Sequence, residues 1–422
     1  MTRDDRLDNL VDPEFKLKTY GIVFIAFMLY FLMPFGAHAG GLILAPLVAI
    51  GAVGGILSIP SFRSLTVSQI PFWVWGLMGF LLWAFISSFW SPYTDPQIVK
   101  NPMKLLIGVP LYLLCLVGIC RAFDVRRVLF SHLLMASSFM GAGLLMIDAI
   151  SGYGLFYLFD PPKPGQNGFT WQGKARANLN QGIVVASLVM GPVAVIMIKW
   201  FRYGWVMAGA LVLMTFLGAL ICGLSIALMA IILSLIFMFI GYIRPRFCLS
   251  ILTMGGMASI LFAPILGLLA RHFSDEVKAS LPGSFEHRIE MWSYVGGRVF
   301  ERPIFGHGFD AARTFDDTFT FRDFGEWDIV TLHPHNAGLH IWLETGAIGA
   351  VLGALFVYFL GMSASNKFKD NPPQMAAISG FFTTALLVCN VSYGVWQEWL
   401  WAALILTSAI VILVPKHHVS KI

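Results

Sequence analysis

Charge is the scarcest component of this sequence. Of 422 residues only 12% are Asp, Glu, Lys or Arg, against 57% hydrophobic, and the mean hydropathy is +0.75. A soluble domain carries about 25% charged residues, so a soluble enzyme is excluded and a polytopic membrane protein remains. Cysteine is scarce as well, with five in the chain. Cys115, Cys120, Cys222 and Cys389 fall in or at the ends of apolar runs and Cys248 starts another. No pair has metal-ligand spacing, and all five read as small packing residues. There is no Gly-rich phosphate loop, no Ser–His–Asp set in an elbow context, no internal repeat and no low-complexity tract. The net charge of +5 is spread over the connections instead of clustered, which excludes a nucleic-acid footprint. A polar head precedes the first apolar run, unlike a cleavable signal peptide.

The apolar runs themselves have few ionisable groups: Asp148 ends the fifth, Glu344 lies early in the tenth and Glu398 starts the twelfth. A transporter needs charges or broken helices at mid-membrane. Their shortage, beside a loaded outer loop, argues for chemistry at the outer membrane face and against transport.

Twelve apolar runs are present, at roughly 19–35, 41–59, 70–90, 103–120, 128–149, 179–198, 204–221, 224–242, 248–270, 336–362, 375–392 and 396–414. Most reach the ~20 residues that cross a bilayer core. Lipid demands internal backbone pairing and period-two alternation is absent, so the runs are helices. The stretch Trp205–Tyr242 is too long for one span, which places a tight turn near Cys222-Gly223. The expected fold is therefore an all-α polytopic membrane protein with about twelve transmembrane helices. It divides into 1–270 (helices one to nine, with a short outer loop near 151–178), a large outer loop at 271–335, and 336–422 (helices ten to twelve and a tail).

Lys and Arg set the orientation. With the amino terminus cytoplasmic, the inner connections carry Arg3, Arg6, Lys16 and Lys18; Arg63; Arg121, Arg126 and Arg127; Lys199 and Arg202; Arg244 and Arg246; Lys367 and Lys369; and Lys416 and Lys421. The short outer connections carry only Lys100, Lys104, Lys163, Lys174 and Arg176. Both termini are expected in the cytoplasm.

Two outer segments stand out. In Ser151–Asn180, Pro161, Pro162, Pro164 and Gly165 forbid a continuous helix through the middle. Arg271–His335 combines a helix-like piece at Glu286–Val299, a turn at Arg302–Gly308 and an aromatic, acidic stretch at Phe315–Trp327, whose aromatics read first as interfacial anchors. Its end, His333-Pro334-His335-Asn336, runs directly into the tenth span. His335 would sit at a helix N-terminus, whose positive end favours neutral imidazole, a proton acceptor. A histidine that only caps the loop is the competing reading, and His333 competes for the same role. Arg288 lies one helical turn before Trp292 and offers a planar fork suited to phosphate. An ordinary ion pair with Glu286, Glu290 or Glu301 is the plainer account. Arg176 is a second phosphate candidate or a snorkelling interfacial cation. Asp310, Asp316, Asp317, Asp323 and Asp328 match no metal spacing and read as a solvated acidic loop. His307, in Gly306-His307-Gly308, reads as part of a turn.

Arg288-x-x-x-Trp292, then Pro303-Ile304-Phe305-Gly306-His307-Gly308, then His335-Asn336-x-x-Leu339-x-x-Trp342-x-Glu344-x-Gly346-x-x-Gly349 resembles the O-antigen ligase family, which also holds O-antigen and exopolysaccharide polymerases. The match is specific over 285–349 and looser at Arg176-x-Asn178-x-Asn180. One departure is plain: where many members carry Ser then Arg, this chain reads Leu224-Ser225-Ile226-Ala227. The resemblance implies an inverting, metal-independent glycosyltransferase of the bacterial inner membrane that needs no cofactor. Its donor would be a glycan on undecaprenyl diphosphate, met on the periplasmic side. Its acceptor would be a sugar hydroxyl of lipid A–core for a ligase, or a second carrier-linked glycan for a polymerase. A lipid-linked sugar transporter is the alternative outside the enzyme class. His335 and Arg288 are then the expected catalytic residues, with Arg176, Asn336, His333, Glu344 and Trp292 at the substrates.

Overall fold

The computed structural model describes residues 13–59, 70–94, 100–163, 168–322 and 325–415. Arg3, Arg6, Arg63, Asp323, Lys416 and Lys421, named above, lie outside the described residues. The helices are α1 (Pro13–His38), α2 (Leu44–Leu57), α3 (Phe72–Ser87), α4 (Lys100–Val125), α5 (Arg127–Ile150), α6 (Gly154–Phe159), α7 (Gly168–Trp200), α8 (Gly204–Ile221) and α9 (Ser225–Ile243). They continue as α10 (Pro245–Leu261), α11 (Ala263–Ala270), α12 (Asp275–Ser280), α13 (Gly283–Val299), α14 (Ala337–Phe368), α15 (Pro372–Val391) and α16 (Glu398–Leu413). Between α13 and α14 a small antiparallel hairpin pairs β1 (Thr318–Thr320) with β2 (Glu326–Asp328), Phe319 opposite Trp327.

Local chemistry sets several boundaries. Pro245 and Pro372 stand in the first turns of α10 and α15, where a missing N–H costs nothing. The α8–α9 junction turns at Gly223, with φ +63°, at the place the length argument requires. Nine helices among the described residues are long and apolar enough to cross a membrane, or ten if α10 and α11, bent by 63°, form one span. All twelve expected runs are helical, but α2 and α16, with 14 and 16 residues, are short of a full span. α7 starts at Gly168, well before its apolar run, so Arg176 sits within the helix instead of ahead of it.

α7 is buried along most of its length and packs against α8, α15, α5 and α16. α2 lies along α4, where a Cβ on Gly118 would come 2.6 Å from the backbone N of Gly55; only two glycines let these backbones meet. α3 and α10 both flank α14, and α9 lies along α15. Asp148, at the end of α5, is buried. Its Oδ1 accepts the N–H groups of Leu155 and Phe156 at 2.9 and 3.1 Å, holding the start of α6. Its Oδ2 is 3.4 Å from Nε2 of the buried His38.

Candidate active site at the loop-to-helix junction

α14 is expected to be one unbroken span, and it is not. Gly346 interrupts it with φ 63° and ψ −165°. A break inside an apolar helix frees carbonyls on one side and N–H groups on the other, and lipid satisfies neither. The Arg302–Gly308 turn does. His307 and Gly308 donate their N–H groups to the Leu343 and Glu344 carbonyls at 2.8 and 2.9 Å. Ala347 and Ile348 donate to the Pro303 and Ile304 carbonyls at 2.8 and 3.4 Å. The Trp83 indole takes the Thr345 carbonyl at 2.9 Å. A Cβ on Gly346 would lie 2.2 Å from the Ile304 oxygen, so both the space and the positive φ require glycine. His307 braces this clasp through a 2.8 Å contact of Nε2 with the Arg298 carbonyl and an edge contact with Phe315.

Glu344, in the last turn before the break, is fully buried. It accepts the N–H groups of Asp310 (3.0 Å) and Ala312 (3.2 Å) and the Trp396 indole N–H (2.6 Å). One carboxylate thereby ties the outer loop, α14 and the α15–α16 connection together, and no oxygen is left for a substrate. His340, one turn earlier and also buried, has Nε2 3.2 Å from Glu344 Oε1, within ion-pair reach but off hydrogen-bond alignment. Its Nδ1 accepts the Val395 N–H at 3.4 Å. Sequence reasoning passed over His340; its i, i+4 spacing to Glu344 was the available signal.

Three imidazoles meet here. The His333 ring stacks on His340 at 6.0 Å and meets His335 edge-on at 4.4 Å. His335 adopts φ +53°, a left-handed conformation unusual for histidine. It does so between Pro334 and Asn336, whose side chain caps α14 by accepting the Leu339 N–H at 2.8 Å. Asn336 Nδ2 donates to the Asn390 carbonyl at 3.2 Å, so this amide is occupied in shaping the helix start. His335 Nδ1 contacts the Ser392 carbonyl. A carbonyl only accepts, so Nδ1 carries the proton and Nε2 keeps its lone pair. Burial pushes His335 down to about 4; the Ser392 carbonyl pulls it back up and the Arg288 charge pushes it further down. Burial, then His335 and His340, push His333 lower still. Both rings are neutral at physiological pH.

Arg288 and Trp292 share one face of α13. The Trp292 indole donates to the Pro334 carbonyl at 2.9 Å, fixing the residue before His335. Arg288 donates to the Val391 carbonyl at 3.0 Å and the Ser284 carbonyl at 2.5 Å. The expected ion pair is absent: Glu286 pairs with Arg322, Glu290 with Lys278 and Glu301 with Arg298. Among the described residues Arg288 meets no carboxylate. Burial alone pushes its pKa down, the signature of a cation that lacks a counter-ion.

Arg176 is apart from this cluster. It is exposed on α7, and its Nη2 approaches Gly223 at the α8–α9 turn, beside Leu224-Ser225, where the resemblance expects an arginine. Its link to the site runs along α7. Asn180, one turn on, faces the Tyr393 hydroxyl, which burial pushes up and Asn180 pulls down, and Tyr393 follows Ser392. The acidic residues disperse: Asp310 meets Arg313 and Asn101, while Asp317 meets Arg298 and Tyr294. The loop aromatics pack on one another instead of standing as separate anchors. His287 stacks on Phe319 at 5.5 Å, with Phe321 and Trp327 beside it.

Below the imidazoles runs an apolar groove of about 340 Å³ between α3, α10, α14, α15 and α16. Its site end is lined by Ser259, Ala337 and Asn390, its far end by Lys367 and Phe368, and its walls include Phe80 and Phe356. The groove follows α14 for nearly its whole length.

These features define an α-helical membrane protein with a polar site where an extramembrane loop joins a broken span. The O-antigen ligase family model matches residues 209–354, so this part of the chain is similar to that family. It holds Arg288, Trp292, the clasp, the three histidines and Glu344. A Rickettsia bellii protein named "Putative polysaccharide ligase" is 31% identical over 174 residues, covering 40% of this chain and 42% of that protein. A Rickettsia prowazekii protein of the same description is 30% identical over 191 residues, 44% of each. The chain thus matches less than half the length of these curated relatives.

Proposed function

We propose that this protein is a glycosyltransferase of a bacterial inner membrane, with both termini cytoplasmic and the site facing the periplasm. It would move a glycan from undecaprenyl diphosphate to a sugar hydroxyl of lipid A–core. The observation that carries this reading is the pairing of a neutral imidazole that keeps its Nε2 lone pair with an arginine that meets no carboxylate among the described residues, at one end of an apolar groove that follows α14. His335 Nε2 takes the proton of the acceptor hydroxyl. The hydroxyl oxygen bonds to the anomeric carbon as that carbon's bond to the diphosphate breaks, and the electron pair leaves with the carrier. Arg288 stabilises the charge that builds there, so guanidinium takes the part a metal plays elsewhere. One displacement inverts the anomeric centre. Trp292, Asn336 and Glu344 hold the base and the loop in place, and Arg176 supplies positive charge at the rim. His333 meets the base edge-on and is the alternative acceptor of the proton.

The broken α14 does not favour transport, because the clasp already occupies the backbone groups that a transported ion would need. A polymerase shares all of this chemistry; the description of the relatives favours the ligase. The test is transfer by purified protein given carrier-linked glycan and lipid A–core. Glycan on lipid A–core supports the ligase, whereas lengthened carrier-linked chains alone would make it a polymerase. His335→Ala should insert and fold yet lose transfer; normal transfer by that variant would remove the base assignment.

A further inference from the structure

Among the described residues Arg288 meets no carboxylate. The turn beside Glu344 is built differently. The turn that gives two N–H groups to Glu344 continues into a short 3-10 helix, Ala311–Thr314, which carries Arg313. Arg313 Nε donates to Asp310 Oδ1 at 3.1 Å, and Asp310 Oδ2 accepts from Asn101 of α4 at 3.0 Å. The guanidinium lies 6.0 Å from the Tyr93 ring centroid. One turn along α4 from Asn101, Lys104 lies 3.8 Å from Glu398 at the start of α16. Gln397, next to Glu398, reaches His333 Nε2 at 3.3 Å. Phe309 anchors the turn on Trp396 at 5.1 Å, and Trp396 in turn flanks His340. Arg313 and Arg288 both act on His333. Arg313 itself did not stand out in the sequence.

The charge pattern separates this turn from Arg288. An arginine with no carboxylate suits a diphosphate. Here each cation is already matched by a carboxylate, so the net charge is small, while the Nη groups of Arg313 and the Asn101, Gln397 and Glu398 side chains offer mixed donors and acceptors. Such a surface suits a neutral, hydroxyl-rich ligand, and an aromatic ring at its edge suits the face of a sugar. We propose that Arg313, oriented by Asp310, with Tyr93, Asn101, Lys104 and Glu398, forms the subsite for the acceptor saccharide, separate from the diphosphate contact at Arg288. The inference rests on the glycan-transfer reading and adds the acceptor's position to it.

The test uses the full-length protein in vesicles and measures KM separately for carrier-linked glycan and for acceptor. Arg313→Gln should raise the acceptor KM roughly 10- to 100-fold, the loss expected for charge-assisted hydrogen bonds, and leave the donor KM within about twofold. Arg288→Gln should lower kcat and raise the donor KM while leaving the acceptor KM within about twofold. Arg313→Lys keeps the charge but not the fork; it should also raise the acceptor KM, and it carries the comparison if Arg313→Gln fails to fold. An unchanged acceptor KM, or a donor KM that rises equally, would overturn the subsite. Absence of transfer in the unmodified protein would instead overturn the glycan-transfer reading.

Discussion

At the scale of the residue, the proposed chemistry rests on the state of His335. A general base must be unprotonated, and an ordinary histidine starts to protonate below about pH 6.5. Burial and the Arg288 charge hold His335 at about 4. Since a depressed pKa keeps the neutral form to lower pH, kcat/KM for transfer should stay level on its acid side from about pH 8 to about pH 5 and fall only near pH 4. A pH–rate profile that drops near pH 6.5 would show that His335 is not the titrating base. His335, Arg288 and Trp292 were legible because their spacing forms a motif. Trp396 was not, because it gains meaning from a partner distant in sequence: it is 52 residues from the Glu344 it binds. An ion pair is the plainer account of Arg288 in the sequence, because carboxylates lie near it there, while the resemblance makes it a phosphate-holding residue. The helix instead turns those carboxylates toward Lys278, Arg298 and Arg322.

Among the elements, α14 gave the largest surprise. Its apolar run continues through the break, and Gly346 is one of 41 glycines, so composition offers no warning. The turn at Arg302–Gly308 was foreseen, but not that it supplies the missing backbone partners of a span. Gly346→Ala should displace the turn, because the new Cβ meets the Ile304 oxygen and a left-handed alanine adds roughly 1–3 kcal/mol of strain. Thermal unfolding in detergent should start lower and transfer should fall with it; unchanged melting and activity would mean that the clasp adapts. The hairpin escaped notice because strands of three residues carry too little alternation to read. α13 was anticipated nearly to its ends, since its polar and apolar faces alternate at helical spacing.

For the molecule as a whole, hydropathy marked every long apolar run because lipid permits few alternatives to helix. It could not show which helices pack together, and the groove exists only through that packing. Ala385 of α15 lines the groove. Ala385→Phe should fill part of it and lower transfer from a long-chain polyprenyl donor more than from a short-chain analogue, measured side by side. Equal loss with both donors would separate the groove from the lipid chain. The hydrogen bonds of Arg288 and His335 have a further consequence. One binds the Val391 carbonyl and the other the Ser392 carbonyl, adjacent peptides where α15 ends. Both groups are therefore registered against the end of a span that also walls the groove, although Arg288 is held by the Ser284 carbonyl of its own helix as well. Residues 271–335 are not a portable module. Cut free or grafted elsewhere, the segment would keep its side chains and lose the ruler that sets their separation.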